Sequence, residues 1–357
     1  MIWVTACGVC LLAAGCSETP VGLLGDYEQR VARVTAQPPP PAVRYDTPAY
    51  PRLRERSVPA PEVRVRLLEL FDFEFCDLSQ LIAERNSILD RYAPASRRLD
   101  YEWRFAHRLG RCREWLGQDR DPARDELRAR LDEIAAIKRE ALGPAWWATT
   151  YGSAEFERHL SLATPPLPSD VSSAPPLAAL DALLALEAGQ ASPPDGLDLP
   201  ALEAQLQQLG ASAWGGAWLH AAVALGTTLD GTAALLEQAA ARPYCRQGRP
   251  TPEARILQTV FWKFYAGRVQ PYLSQVHRQG EAWLQRHTAL LASQRVTPPP
   301  AFADYAARAL GTGEGSVWQR LGAARERHTR AWQELLGQCG LMPDAGQRKG
   351  EPEGSPG

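Results

Sequence analysis

From Asp77 to Gln338 the chain repeats apolar residues at three- and four-residue intervals, the spacing of one face of an α-helix. The pattern predicts helices near 77–91, 96–116, 122–142 and 153–161. A proline- and serine-rich break, TPPLPSDVSSAPP, interrupts it, and helices resume near 177–188, 199–209, 212–241, 252–293, 301–310 and 314–338. Three have readable starts: Asp121 before Pro122, Asp198 ahead of Pro200, and Thr251 before Pro252. In each, a side-chain oxygen can accept a first-turn N–H, and the proline has no N–H to satisfy. Pro271 falls inside the longest segment and predicts a kink. GTGEG at Gly311 to Gly315 reads as a turn between helices. VRVRLLELFDFEF, at 63–75, alternates like a strand, but no hairpin partner follows and an early helix is the better reading. The fold class is all-α: a multi-helix, bundle-like array of antiparallel helices.

The N-terminal part departs from this pattern. MIWVTACGVCLLAAGC has an apolar stretch to Leu12, then small residues and Cys16. It is too short to span a bilayer and reads as a signal peptide that ends in a lipobox. The segment resembles a bacterial lipoprotein signal, which implies that Cys16 becomes the acylated N-terminus. Ser17 in the next position favours, by the same analogy, sorting to the outer membrane. No later run of about 18 apolar residues exists to act as a transmembrane helix. VGLLGDYEQRVARV then gives a short amphipathic helix, and Gln37 to Pro61 is a proline-rich extended strap. The strap is either a spacer from the membrane or a segment laid over the body. The expected organisation is a signal at 1–15, anchor and helix at 16–36, strap at 37–61 and a helical part at 62–164. A loop at 165–176, a second helical part at 177–340 and a disordered tail at 341–357 complete it.

Composition adds the address. With 357 residues, 45% hydrophobic and 22% charged, the chain can bury a substantial core. A net charge of −2 leaves no electrostatic footprint for nucleic acid or for an acidic membrane surface. Of seven cysteines, Cys7 and Cys10 leave with the signal and Cys16 takes lipid, so Cys76, Cys112, Cys245 and Cys339 remain. An even number in an exported chain suggests two disulfides, with three connectivities open.

Asparagine occurs once, at Asn86, within LIAERNSILDRYAPASRRLDYEWRF. If the segments flanking Pro94 form an antiparallel hairpin, facing residues have numbers summing to about 188. Ile82 then meets Ala106, Leu89 meets Leu99, and Cys76 comes within bridging range of Cys112. Cys245–Cys339 follows by elimination. The same register sets Arg85, which lies on the apolar stripe of its own helix, opposite Trp103 and next to Glu102. A buried guanidinium needs a partner, and Glu102 is the natural one, with Trp103 covering the cation. Asn86 and Ser87 are left to bond the loop around Tyr92 to Ser96 and lock the hairpin tip. The functional alternative is a ligand pocket lined by Glu84, Arg85, Asn86 and Tyr101.

LIAERNSIL, the downstream SRRLDYE, the proline-rich strap and the lipobox together resemble an uncharacterised gammaproteobacterial lipoprotein family, the one with domain of unknown function 3080. The resemblance runs over nearly the whole mature chain. It supports the envelope address, implies an outer membrane lipoprotein facing the periplasm, and carries no activity.

No HExxH, P-loop or dinucleotide fingerprint occurs. GASAWG, at 210–215, misses the nucleophile-elbow spacing. The six histidines offer no i, i+4 pair for a metal, so no metal site or cofactor is expected. Aromatic clusters at Trp146, Trp147, Tyr151 and Phe156, and at Phe261, Trp262, Phe264 and Tyr265, read as core or as a stacking surface. Two functions survive. The first is a membrane-anchored, non-enzymatic protein that binds or scaffolds an envelope protein or glycan. The second is a helical glycan-cleaving enzyme with Glu84 as general acid, against which the adjacent Arg85 counts by opposing a raised pKa.

Overall fold

The computed structural model describes residues 19–39, 47–61, 76, 78–85, 93–119, 121–169, 174, 176–188 and 196–342. Cys16, Asn86, Ser87, the stretch 62–75 and the tail beyond 342 lie outside the described residues. Among the described residues the protein is all-α apart from one two-residue hairpin pair, with thirteen α-helices. The helices are α1 (Pro20–Val34), α2 (Leu53–Arg56), α3 (Leu78–Arg85), α4 (Ala95–Gln118), α5 (Asp125–Thr149), α6 (Ala154–His159) and α7 (Pro176–Glu187). They continue with α8 (Leu199–Gly210), α9 (Trp214–Ala240), α10 (Pro252–Val260), α11 (Gln270–Ala292), α12 (Pro300–Tyr305) and α13 (Val317–Gly337).

The main core is built on α9, which is apolar over most of its circumference and keeps a narrow polar strip with Asp230 and Glu237 paired to Arg327. One 18-residue window within Leu199–Ala240 reaches a mean hydropathy of 1.3, enough by length and composition to cross a membrane. This corrects the expectation that no such run exists. The window is 67% buried inside the protein, as befits a core helix. Its start is pressed so tightly that a Cβ on Gly216 would lie 1.8 Å from the Ser161 carbonyl oxygen. Glycine is required there.

Helix α1 belongs to this core. Thr19 caps it, Pro20 opens it, and Leu23, Leu24, Tyr27 and Val31 are buried. The Tyr27 hydroxyl lies 2.7 Å from His328 Nε2 and accepts from the Trp332 indole at 2.9 Å, both on α13. The strap therefore begins after a docked helix and returns over the body. Tyr50 donates to the Tyr151 carbonyl at 2.5 Å, and Trp147 donates to the Arg56 carbonyl at 2.7 Å. The Arg56 side chain is buried, paired with Glu157 and set 4.9 Å from the Tyr50 ring centre. Of the two readings of the strap, the one laid over the body holds, with a single helical turn, α2, inside it.

Three helices differ from their sequence expectation. The periodic pattern ends at 142, but α5 continues through Gly143 and Pro144 to Thr149, carrying Trp146 and Trp147 into the core. Burial of both indoles outweighs the missing proline hydrogen bond. The long helix at 252–293 is instead α10, a π-helical stretch Phe261–Val269, and α11 with Pro271 in its first turn. The wider turn comes where the proline ring would crowd the preceding carbonyls. The segment after α12 likewise passes into a π-helical stretch, Ala306–Leu310. The expected turn follows, with Gly315 at φ 77°.

A short hairpin, β1 (Cys245–Arg246) with β2 (Arg249–Pro250), was not expected. Its turn residues Gln247 and Gly248 both have positive φ, 53° and 74°, as a two-residue hairpin loop requires. Cys245 is bridged to Cys339 after α13, with Cα atoms 5.5 Å apart.

Helices α3, α4 and α5 form a smaller second core around Leu81, Tyr101, Phe105, Leu109, Leu131 and Ile134. Cys76–Cys112 closes it, with Cα atoms 5.3 Å apart. The antiparallel register is the one expected: Glu84 also meets Arg104, and both pairs sum to 188. Leu99, one end of α4, lies in the main core, so α4 joins the two.

Candidate functional site

The residues singled out in LIAERNSILDRYAPASRRLDYEWRF come together along α3 and α4, with a different pairing from the expected one. Glu102 is held by Lys138 of α5, 3.0 Å away and equally buried. This corrects the Arg85–Glu102 pair. A two-helix register could not include α5, whose lysine reaches in from the third side. The Lys138 ammonium lies 4.6 Å from the Tyr101 ring centre and 4.5 Å from that of Phe105. Burial, opposed by Glu102, holds its pKa below the ordinary lysine range. Arg85 is half-buried and faces the Tyr101 ring at 6.0 Å, so the covering aromatic is Tyr101 where Trp103 was expected.

Glu84 is exposed and takes both terminal nitrogens of Arg104, at 2.8 and 3.1 Å. These charge-assisted bonds hold its carboxyl below the usual range. Arg104 Nε also donates to Asp100 at 2.7 Å, and Asp100 accepts the Leu197 N–H at 2.8 Å. The chain Glu84–Arg104–Asp100 thus fixes the segment that leads into α8. At Gly196, with φ 135°, a Cβ would lie 3.0 Å from the Asp100 carboxylate.

Beneath that segment is a small pocket, open to solvent. Leu99 and Trp103 of α4 form one wall, and Leu142 and Trp146 of α5 form another. Leu186 of α7 and Leu197 close it, with Glu187 and Arg295, 3.5 Å apart, at the rim. Trp103, half-buried and 4.8 Å from the His107 ring, belongs to this wall. Sequence reasoning named Trp103 for another role and missed Asp100, Arg104 and Lys138. The i, i+4 pair Asp100–Arg104 was a readable signal.

The remaining polar groups in the interior are structural. His159, His287 and His328 are fully buried. Burial lowers the pKa of His159 and His328 to about 3 and that of His287 well below its ordinary value, so all three are neutral. Trp283 donates to His159 Nε2 at 3.0 Å, and Tyr151 lies 3.0 Å from His287 Nδ1. Among the described residues, no three His, Cys, Asp or Glu side chains cluster in a way that could hold a metal ion.

An all-α protein with two disulfides and an aromatic-walled pocket, free of any metal-binding cluster among the described residues, is the class these features define. The chain belongs to the family described as protein of unknown function, DUF3080, whose model matches residues 24–343. No curated protein and no solved structure matches it.

Proposed function

We propose that this is a periplasm-facing outer membrane lipoprotein, acylated at Cys16, that binds an apolar side chain of an envelope partner protein without chemical turnover. The carrying observation is the Trp103–Trp146 pocket, one side of which, Leu197, is fixed by the Glu84–Arg104–Asp100 chain. Concave apolar sites edged by a few fixed polar groups are where such anchors dock. The two disulfides, each with Cα atoms in bridging range, support an oxidising compartment. Glu84 suits the glycan-cleaving alternative poorly: Arg104 keeps it ionised near neutral pH, whereas a general acid must hold its proton.

The test is photocrosslinking in cells, with a photoreactive residue in place of Glu187 at the pocket rim. The expected result is a discrete protein adduct that disappears in Trp103→Ala and persists in Trp115→Ala, a change at an exposed position outside the pocket. Adducts of equal yield in both variants would remove the pocket from the function.

A further inference from the structure

We infer that the body of the protein lies directly on the bilayer, with the surface around Thr19 and Val21 against the lipid headgroups. The inference rests on the proposed acylation of Cys16. What carries it is the length of the leash and the place where it ends. Two residues, Ser17 and Glu18, separate Cys16 from Thr19, and the three residue steps between them span about 11 Å even when fully extended. The headgroup layer takes up roughly half of that, since headgroups add about 10–15 Å to a bilayer counting both faces. Thr19, the N-cap of α1, is therefore at the membrane surface.

A short leash alone would not fix the body if α1 could lift away. It is held by five buried residues, by Tyr27 bonded to α13, and by the ion pair of Asp26 with Arg268 at 3.1 Å. Arg30 lies 3.7 Å from the Phe264 ring centre, so α1 runs antiparallel to the segment that leads into α11. Val21, 61% exposed at the head of α1, is then an apolar side chain with the bilayer as its neighbour. The proline-rich segment, which could have provided reach, comes after α1 and is bound to the body through Tyr50 and Arg56. It gives no distance from the membrane.

The test uses the full, lipidated chain in vesicles that contain a headgroup-attached quencher. A fluorophore on Val21→Cys is expected to be quenched, and a label on Ile256→Cys, on the exposed face of α10, less so. Inserting a long Gly/Ser linker between Ser17 and Thr19 is expected to abolish most of the Val21 quenching while acylation persists by mass spectrometry. Acylated protein whose Val21 label is unquenched, or equally quenched with the linker, would overturn the inference and leave the lipoprotein reading standing. A Cys16 without acyl groups would overturn both.

Discussion

Tyr27 and His328 are 301 residues apart in the chain and 2.7 Å apart in the fold. The tyrosine hydroxyl also accepts from Trp332, so three buried polar groups satisfy one another. Tyr27→Phe removes both bonds of the hydroxyl and leaves Trp332 and His328 only their longer contact of 3.2 Å. The expected loss is about 1–3 kcal/mol, the net worth of two buried hydrogen bonds. A urea midpoint that does not move would show that α1 contributes no such lock.

Acid should weaken the protein well before its carboxylates titrate. His159 and His328 titrate at about 3 when folded and near 6.5 when unfolded. The unfolded chain therefore binds the extra protons, and their stabilising effect, complete above pH 6.5, is lost as the pH falls toward 3. Each contributes a slope of about 1.4 kcal/mol per pH unit inside that window. Melting curves between pH 7.5 and 5 should show it, and His159→Gln, although less stable throughout, should show a shallower slope.

Cys245–Cys339 closes a sequence separation of 94 residues and Cys76–Cys112 one of 36. Loop-closure entropy gives the longer bridge the larger effect, about 4 kcal/mol or slightly more. Replacing both members of the longer pair by serine should therefore lower the denaturant midpoint more than the same change in the shorter pair. The reverse order would mean that the smaller core depends on its bridge for more than chain entropy.

Lys138→Met would strand the Glu102 carboxylate in the second core. Breaking one side of a buried pair costs about 3–5 kcal/mol, while Lys138→Met with Glu102→Leu should recover much of the loss. A double-mutant cycle read by chemical denaturation checks this.

The strap should be a proteolytic latch. Removing Glu157, the partner of the buried Arg56, should speed tryptic cleavage around Arg52, Arg54 and Arg56 with a small change in global stability. Unchanged cleavage would mean that Tyr50 and the Trp147–Arg56 bond suffice.

The helices, their caps and the α3–α4 register were legible because each rests on spacing within one or two segments. Asp198 and Thr251 cap as their sequence context predicts, and Cys76–Cys112 follows from the hairpin. What failed needed a third element. Lys138 displaces Arg85 as the partner of Glu102 because α5 covers that face of α4. Trp146 reaches the pocket because packing carries α5 through Pro144. The pocket itself draws on α4, α5, α7 and the segments around Leu197 and Arg295, a set that no periodicity in the sequence brings together.

The union of the first helix with the last imposes an order on biogenesis. Residues 20–34 are synthesised long before any of α13 exists, so α1 must wait, unsheltered, for nearly the whole chain to be made. Docking against α13 then buries its apolar face and completes the main core.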